Sequence, residues 1–438
     1  MSTASQTGSA EQRSGFRSGA GPSWDLYSTC IHCGLCLEQC PTYRVLGLEA
    51  DSPRGRIYQV LQVDQGNLPI GNSFVTHIDR CLGCLACETA CPSGVSYGQI
   101  VERARAEIEK SYRRPLLARI ARRYTYNKLL KSFGALSFWA TVLYLYQQTG
   151  LQKLVRWSGI LKVLGLENTD ALAPPVDREF SFSDLGKVFP SEGEERTRAA
   201  FLIGCVASVS FSELNRATIR VLQKNGVTVF IPPKQACCGA LHAHAGFRDD
   251  ASDLARRNID AMLSDKIDSI VTNAAGCGST MKNYANLLAN DVRYSAKAQA
   301  FAAKTKDVSE FLAELGLRAP QRKLHASVTY QDPCHLAHAQ KIRSAPRELL
   351  KAIGADLIEM PHSDYCCGSA GTYNVVQNQL STKLLAAKME DIASVTADVL
   401  ATANVGCVLQ LRVGVQQRGL KMRVMHVIEL LDEAYRQT

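Results

Sequence analysis

The chain has 438 residues, 46% of them hydrophobic, with a net charge of +9. That length allows two or three domains, and the apolar share is that of a globular protein with a real core. So mild an excess of charge makes no case for nucleic-acid binding. Sixteen cysteines in a long, core-rich chain do not fit a small disulfide scaffold, and their spacings are of metal-binding type.

The start, residues 1–23, is rich in Ser, Gly, Ala and Gln, lacks the apolar stretch of a secretory signal, and reads as a disordered tail. A reducing cytoplasm is the compartment expected. Composition then divides the chain. Residues 24–110 hold eight cysteines, residues 111–196 hold none, and residues 197–438 hold the other eight.

Cys30, Cys33, Cys36 and Cys40-Pro41 follow C-x2-C-x2-C-x3-C-P, and Cys81, Cys84, Cys87 and Cys91-Pro92 repeat it. This run binds [4Fe–4S] clusters in bacterial two-cluster ferredoxins, where the fourth cysteine ligates the other cluster. One cluster is therefore assigned to Cys30, Cys33, Cys36 and Cys91, the other to Cys81, Cys84, Cys87 and Cys40. Zinc needs four ligands, usually from two C-x2-C pairs, so two complete runs argue against it. A pair of such clusters is an electron wire. Arg54 and Arg56 lie between the runs, where a guanidinium would favour an anionic cluster or simply be solvated.

In residues 111–165, Arg113, Arg114, Arg119, Arg122, Arg123, Lys128 and Lys131 precede an aromatic and aliphatic run, Phe133–Tyr146. At about 14 residues it is short of the ~20 needed to span a bilayer. A helical segment packed on the core or a partner, and an amphipathic segment on a membrane surface, are both open.

The last zone is a repeat. Cys205, Cys237-Cys238-Gly239 and Cys277 are answered by Cys334, Cys366-Cys367-Gly368 and Cys407, with 32 residues from first to second cysteine in both halves. Each copy reads as α/β. Expected strands are Ala200–Cys205, Val227–Ile231 and Ser269–Thr272, then Val328–Tyr330, Leu357–Glu359 and Val399–Thr402, with a helix over Asn215–Asn225. Strands alternating with helices predict parallel sheets, with cysteines just beyond the strands' carboxyl ends. The fold class expected is a mostly helical two-cluster ferredoxin domain (24–110), a basic helical linker (111–196) and two α/β modules (197–319 and 320–438). Adjacent thiols form only a strained disulfide but can share a polynuclear centre. His242 and His244 follow the first Cys-Cys-Gly, and His335 and His338 flank Cys334; tuning or proton uptake competes with an ordinary buried role. No dinucleotide or Walker loop is present, so no flavin or nicotinamide site is expected on this chain.

The chain resembles the iron–sulfur subunits of bacterial glycolate oxidase, in the CCG-domain iron–sulfur oxidoreductase family. The matching residues are Ser52-Pro53-Arg54-Gly55-Arg56, Asn258-Ile259-Asp260-Ala261, Ala275-Gly276-Cys277-Gly278, Cys366 through Tyr373, and Thr402 through Cys407. The resemblance implies a redox subunit of a multisubunit enzyme that oxidises glycolate to glyoxylate on FAD held by partner subunits. Electrons then pass toward a quinone-type acceptor, and the chain sits in the cytoplasm or peripherally at the inner face of the cell membrane. D-lactate is the rival substrate. CCG modules also occur in heterodisulfide reductases, where five cysteines hold each noncubane cluster. Here Thr280 and Gln410 stand where a fifth thiol is expected, against a disulfide reductase. A non-catalytic iron–sulfur sensor is a third reading. A further iron–sulfur centre held by Cys205, Cys237, Cys238, Cys277, Cys334, Cys366, Cys367 and Cys407 competes with a metal-free scaffold.

Overall fold

A computed structural model describes residues 14–163, 170, 175–320 and 323–436. They group into two units, Met1–Gly83 with Cys87–Arg114, and Cys84–Ala86 with Pro115–Thr438.

The first unit is helical. Helix α1 (Pro53–Asp64) begins with Ser52 as its N-cap, whose hydroxyl accepts from the Gly55 N–H, and with proline at its first position. Gly55 is required there, because a Cβ would lie 1.9 Å from the Glu49 carbonyl oxygen. Helix α2 (Asn72–Asp79) and α3 (Tyr97–Ser111) follow. On α3, Tyr97, Ile100, Val101, Ala104 and Ile108 recur at helical spacing and are all buried, facing Val60, Val63 and Phe74. The expected tail is shorter than residues 1–23. Phe16 is buried in this core, and the Ser18 N–H donates to Glu107 at 3.0 Å. Residues 1–13 lie outside the described residues.

The second unit opens with α4 (Leu116–Tyr124), α5 (Phe133–Gln148) and α6 (Leu151–Trp157). A short edge strand, β1 (Val188–Phe189), then joins the first module's sheet, which extends that module back into the expected linker. The module continues with β2 (Thr197–Leu202), α7 (Ser212–Lys224), β3 (Val227–Phe230), α8 (Arg248–Met262), β4 (Ser269–Thr272), α9 (Ala275–Lys282) and β5 (Thr305–Asp307). The strand order is β1-β3-β2-β4-β5, parallel except for β1. β2 ends at Leu202, so Gly204-Cys205 lies in the turn beyond it.

The second module has β6 (Ser327–Tyr330), β7 (Asp356–Leu357), α10 (Asn378–Ala393), β8 (Val399–Thr402), α11 (Val405–Arg418), β9 (Arg423–His426) and α12 (Val427–Arg436). The order is β7-β6-β8-β9, all parallel. β4 and β8 are buried along their whole length, as parallel strands covered on both faces must be. α7 packs on α12 with Val221, Leu222, Ile428 and Leu431 buried in one core that reaches both sheets. At its edge Arg220 grips Asp432 with two hydrogen bonds, 2.9 and 2.7 Å.

A shared core should unfold as one. Leu431→Ala removes a fully buried side chain and should cost ~2–5 kcal/mol. Hydrogen exchange under increasing urea should show β2 and β8 losing protection together. Loss confined to β8 would mean the modules are independent.

Candidate functional site

All sixteen cysteines are free thiols. In the first unit, Cys30, Cys33, Cys36 and Cys91 line one cavity of about 420 Å³, open mouth included, with Arg54, Ile57, Val95, Tyr97 and Cys87 among its walls. These four are the set that the spacing assigns to one cluster. Four convergent thiols around such a space, with no carboxylate and a single imidazole (His32) in its lining, suit an iron–sulfur group. Backbone N–H groups already point at the sulfurs. Val95 donates to Cys91 at 3.5 Å, and Arg54 donates to Cys36. Burial nonetheless pushes the Cys36 thiol up, with that N–H opposing.

Cys40, Cys81 and Cys87 are buried and lie together around Tyr97, whose phenol each of them influences. Cys84 is buried too. The Cys81 sulfur receives the Gly83 N–H at 3.3 Å and the Tyr97 hydroxyl at 3.6 Å. Burial drives this thiol up, but Arg56, Arg105 and those two donors outweigh it and hold it below the ordinary thiol range. Tyr97 also lines the first cavity, so one buried ring belongs to both cysteine sets.

The two arginines of the Ser-Pro-Arg-Gly-Arg run divide the work by helical phase. They are two residues apart at the start of α1, hence on opposite faces. Arg54 lines the first cavity, pairs with Glu49 at 2.7 Å and donates to the His32 carbonyl. Arg56 is 2% exposed and turns inward. It donates to the His77 carbonyl at 2.6 Å and to Thr42 at 3.1 Å, beside Asp51, and it feels the charge of Cys81 and Cys40. Thr42 in turn sits 3.2 Å from the Cys40 sulfur. Asp51, fully buried, also takes Arg80 and His77, at 2.9 and 3.0 Å. The pair of guanidiniums, Arg56 and Arg105, is the buried positive charge that a thiolate-rich group requires.

In the second unit each module repeats one arrangement of thiols. The strand-end cysteine meets the first of the adjacent pair, and the second of the pair meets the helix cysteine. Cys205 lies 3.5 Å from Cys237 and Cys238 lies 3.2 Å from Cys277. Cys334 likewise faces Cys366, and Cys367 faces Cys407. Gly239 and Gly368 both take φ of +86°, and a Cβ at either would press on the following helix, at Ala251 and Ser381 respectively.

That contact aligns α8 with α10, seven residues further on, at Asn258 and Lys388. Here the copies differ. Asn258 accepts from the Ala236 N–H and donates to the Cys237 carbonyl and Tyr284, a neutral network. Lys388 is buried, donates to the His362 and Ser363 carbonyls, and is pushed by burial down to about 8. The Cys367 thiol is held low by its Cys407 contact, against burial, with help from the Ser369 N–H and Lys388. Cys205 is raised by its Cys237 contact and by burial. Among the described residues no three His, Cys, Asp or Glu side chains are arranged around a single ion.

The histidines separate. His242 is buried against Tyr126, with Nε2 2.7 Å from that residue's carbonyl oxygen, and burial lowers its pKa. His338 is buried beside Asp364, again lowered by burial. His244 and His335 come together from the two modules with ring centroids 5.2 Å apart, and His335 Nδ1 is 3.5 Å from the Cys334 sulfur. Thr280 and Gln410, in place of fifth thiols, are buried polar residues; Gln410 donates to Ser381 at 3.0 Å. Sequence reasoning missed Tyr97, Arg105 and Lys388. Lys388 had a signal, since it falls on the apolar stripe of α10 with Leu384, Leu385 and Ile392.

Residues 27–95 match the 4Fe-4S dicluster domain family, residues 199–282 and 328–412 match the cysteine-rich CCG domain, and residues 117–173 match the linker region of the glycolate oxidase iron–sulfur subunit. The chain is similar to the probable glycolate oxidase iron–sulfur subunit of Bacillus subtilis, 40% identical over 92% of this chain and 93% of that protein. It is 32% identical to the glycolate oxidase iron–sulfur subunit of Escherichia coli, over 93% and 94% respectively. Lactate utilization protein A of Geobacillus kaustophilus is 28% identical over 54% of this chain and 98% of its own length.

Donors to a cluster's sulfurs favour its reduced, more negative state. Tyr97→Phe deletes one donor from Cys81 without emptying the core. The midpoint potential of the centre holding Cys81 should fall, while any other centre shifts less, in redox titration followed by electron paramagnetic resonance. An unchanged potential would remove the phenol from this role.

Proposed function

Since this chain belongs to the family of glycolate oxidase iron–sulfur subunits, we propose that it is the electron-transfer subunit of a multisubunit glycolate oxidase. The reaction is oxidation of glycolate to glyoxylate, which removes two electrons and two protons on FAD held by partner subunits. Electrons then pass through this chain toward a quinone-type acceptor, and the protein works in the cytoplasm at the inner face of the cell membrane. The observation that carries this is the convergence of Cys30, Cys33, Cys36 and Cys91, drawn from both cysteine runs, on one cavity.

Those four residues would hold one [4Fe–4S] cluster, and Cys81, Cys84, Cys87 and Cys40 a second. When bound, the clusters supply reversible one-electron carriage. The chain's own residues do the rest. Gly83, Val95 and Arg54 aim N–H groups at sulfur. Arg56 and Arg105 place fixed positive charge inside the core, and Ile57, Val95 and Tyr97 wall the first cavity. Substrate choice lies on the partner subunits, so likeness to a lactate utilization protein keeps D-lactate as the rival to test.

The decisive experiment uses the assembled complex. With Cys30→Ser, glycolate should still bleach the flavin, while reduction of a quinone analogue falls to the level of cluster-free protein. Retained quinone reduction would reject the wire. Replacing glycolate by D-lactate in the intact complex decides the substrate.

We further propose that any third centre belongs to the second CCG module, where Lys388 offsets thiolate charge. Cys367→Ala should then lower iron per chain, and Cys238→Ala should not. Equal iron in both variants and the parent would leave the modules as scaffold.

A further inference from the structure

Residues 115–163 contain eight Lys and Arg and no Asp or Glu. They carry nearly all of the chain's excess of +9. The same stretch is unusually greasy on its surface. Of twenty-one exposed large apolar side chains in the described chain, twelve fall between Leu116 and Ile160. Such a concentration on a finished fold marks a surface that something else covers.

The segment is firmly seated on one side. Arg122 donates to the Ala245 carbonyl at 2.9 Å and lies over the rings of Tyr126 and Phe247. Lys131 pairs with Asp250, and Phe133 stacks on Phe182 with centroids 4.7 Å apart. On the other side the described residues leave most apolar side chains exposed, with Asp170 held by Gln152 and Arg156. α4 buries no residue and α5 buries only Ala140. Leu117 is 81% exposed and Trp157 85%. The Trp139 indole donates to the Tyr124 hydroxyl at 2.5 Å, which joins the apolar faces of α4 and α5.

The chemistry selects the occupant. No described helix is long and apolar enough to cross a membrane alone, and Leu116–Leu129 meets Phe133–Gln148 at a bend of 115°. Two short bent arms suit lying in an interface rather than crossing it. Exposed tryptophan and tyrosine, each with one polar edge, match headgroup depth. The segment's eight bases, of which Lys131 and Arg156 are paired with Asp250 and Asp170, leave an excess of positive charge that complements anionic phosphates. We infer that residues 115–163 are a monotopic docking surface for an anionic lipid bilayer. The inference deepens the proposed handover to a membrane acceptor and rests on it only for the purpose of docking.

Two of the three tryptophans lie in this segment, so intrinsic fluorescence reports on it. Full-length chain with its clusters is sedimented with phosphatidylcholine vesicles, with and without a quarter of phosphatidylglycerol. Binding should rise about tenfold or more with the anionic lipid and weaken with salt, and tryptophan emission should shift to the blue. The double variant Leu117→Glu with Trp157→Glu should lose that binding while its visible cluster absorbance stays as in the parent. No preference for anionic vesicles, or equal binding by the double variant, would overturn the inference. So would protection of residues 116–160 from hydrogen exchange by flavin subunits and not by vesicles, which would assign the surface to a protein. Failure here leaves the Cys30→Ser test of electron delivery untouched, and the converse holds.

Discussion

The constraint behind this structure is the negative charge of thiolate sulfur in a dry interior. A group held by four thiolates is an anion, and burying an anion without compensation costs several kcal/mol. Compensation is built into the first unit at several ranges. Amide hydrogens of Gly83, Val95 and Arg54 reach individual sulfurs, the Tyr97 phenol reaches Cys81, and Arg56 and Arg105 supply whole charges from inside the core. Asp51 holds Arg56, Arg80 and His77 in one network. The guanidinium beside Cys40 and Cys81 is thereby fixed in place, and solvent cannot screen it as it would on a surface.

The same constraint separates the two CCG modules. Duplication gave both the same strand ends, the same paired thiols and the same glycine at φ +86°. At one aligned position beside the thiols the copies diverge in charge, with Asn258 satisfying only backbone and phenol and Lys388 bringing a buried ammonium. A neutral amide suits protonated thiols and a scaffold. A buried cation makes sense where at least one thiolate persists. Gln410 shows the same economy, since a buried polar side chain with hydrogen bonds can fill a ligand position without binding anything.

The parts of this molecule legible in sequence are those set by local spacing. Cysteine intervals disclosed both ferredoxin runs and the repeat, because a ligand loop is a short-range object. Ser269–Thr272 and Val399–Thr402 were readable as strands because apolar, β-branched runs between breakers have few other uses. Long-range facts were not legible. Which of Arg54 and Arg56 faces inward depends on the phase of α1, fixed by Ser52 and Pro53. Phe16 looked like part of a tail because nothing nearby shows that a core waits for it. The edge strand β1 is two residues long and exists only because β3 offers it a partner.

Charge segregation along the chain ties these levels together. In the first unit Arg56 and Arg105 are turned inward toward sulfur while Arg54, Arg80 and Arg114 pair with carboxylates, and many bases in the CCG modules sit in pairs such as Arg220–Asp432 and Arg347–Asp332. Residues 115–163 hold eight bases and no acid of their own, with Lys131 and Arg156 reaching Asp250 and Asp170, and they leave apolar side chains in water. A folded protein that places its polar groups so carefully elsewhere would gain by covering those side chains, at roughly 25 cal/mol per Å². Burial against module 1 was available, and α4 and α5 use it only on one side, through Arg122, Lys131 and Phe133. The segment is therefore built as a platform with one face fixed and one face kept for an anionic, apolar surface, which a bilayer offers and the rest of this chain does not.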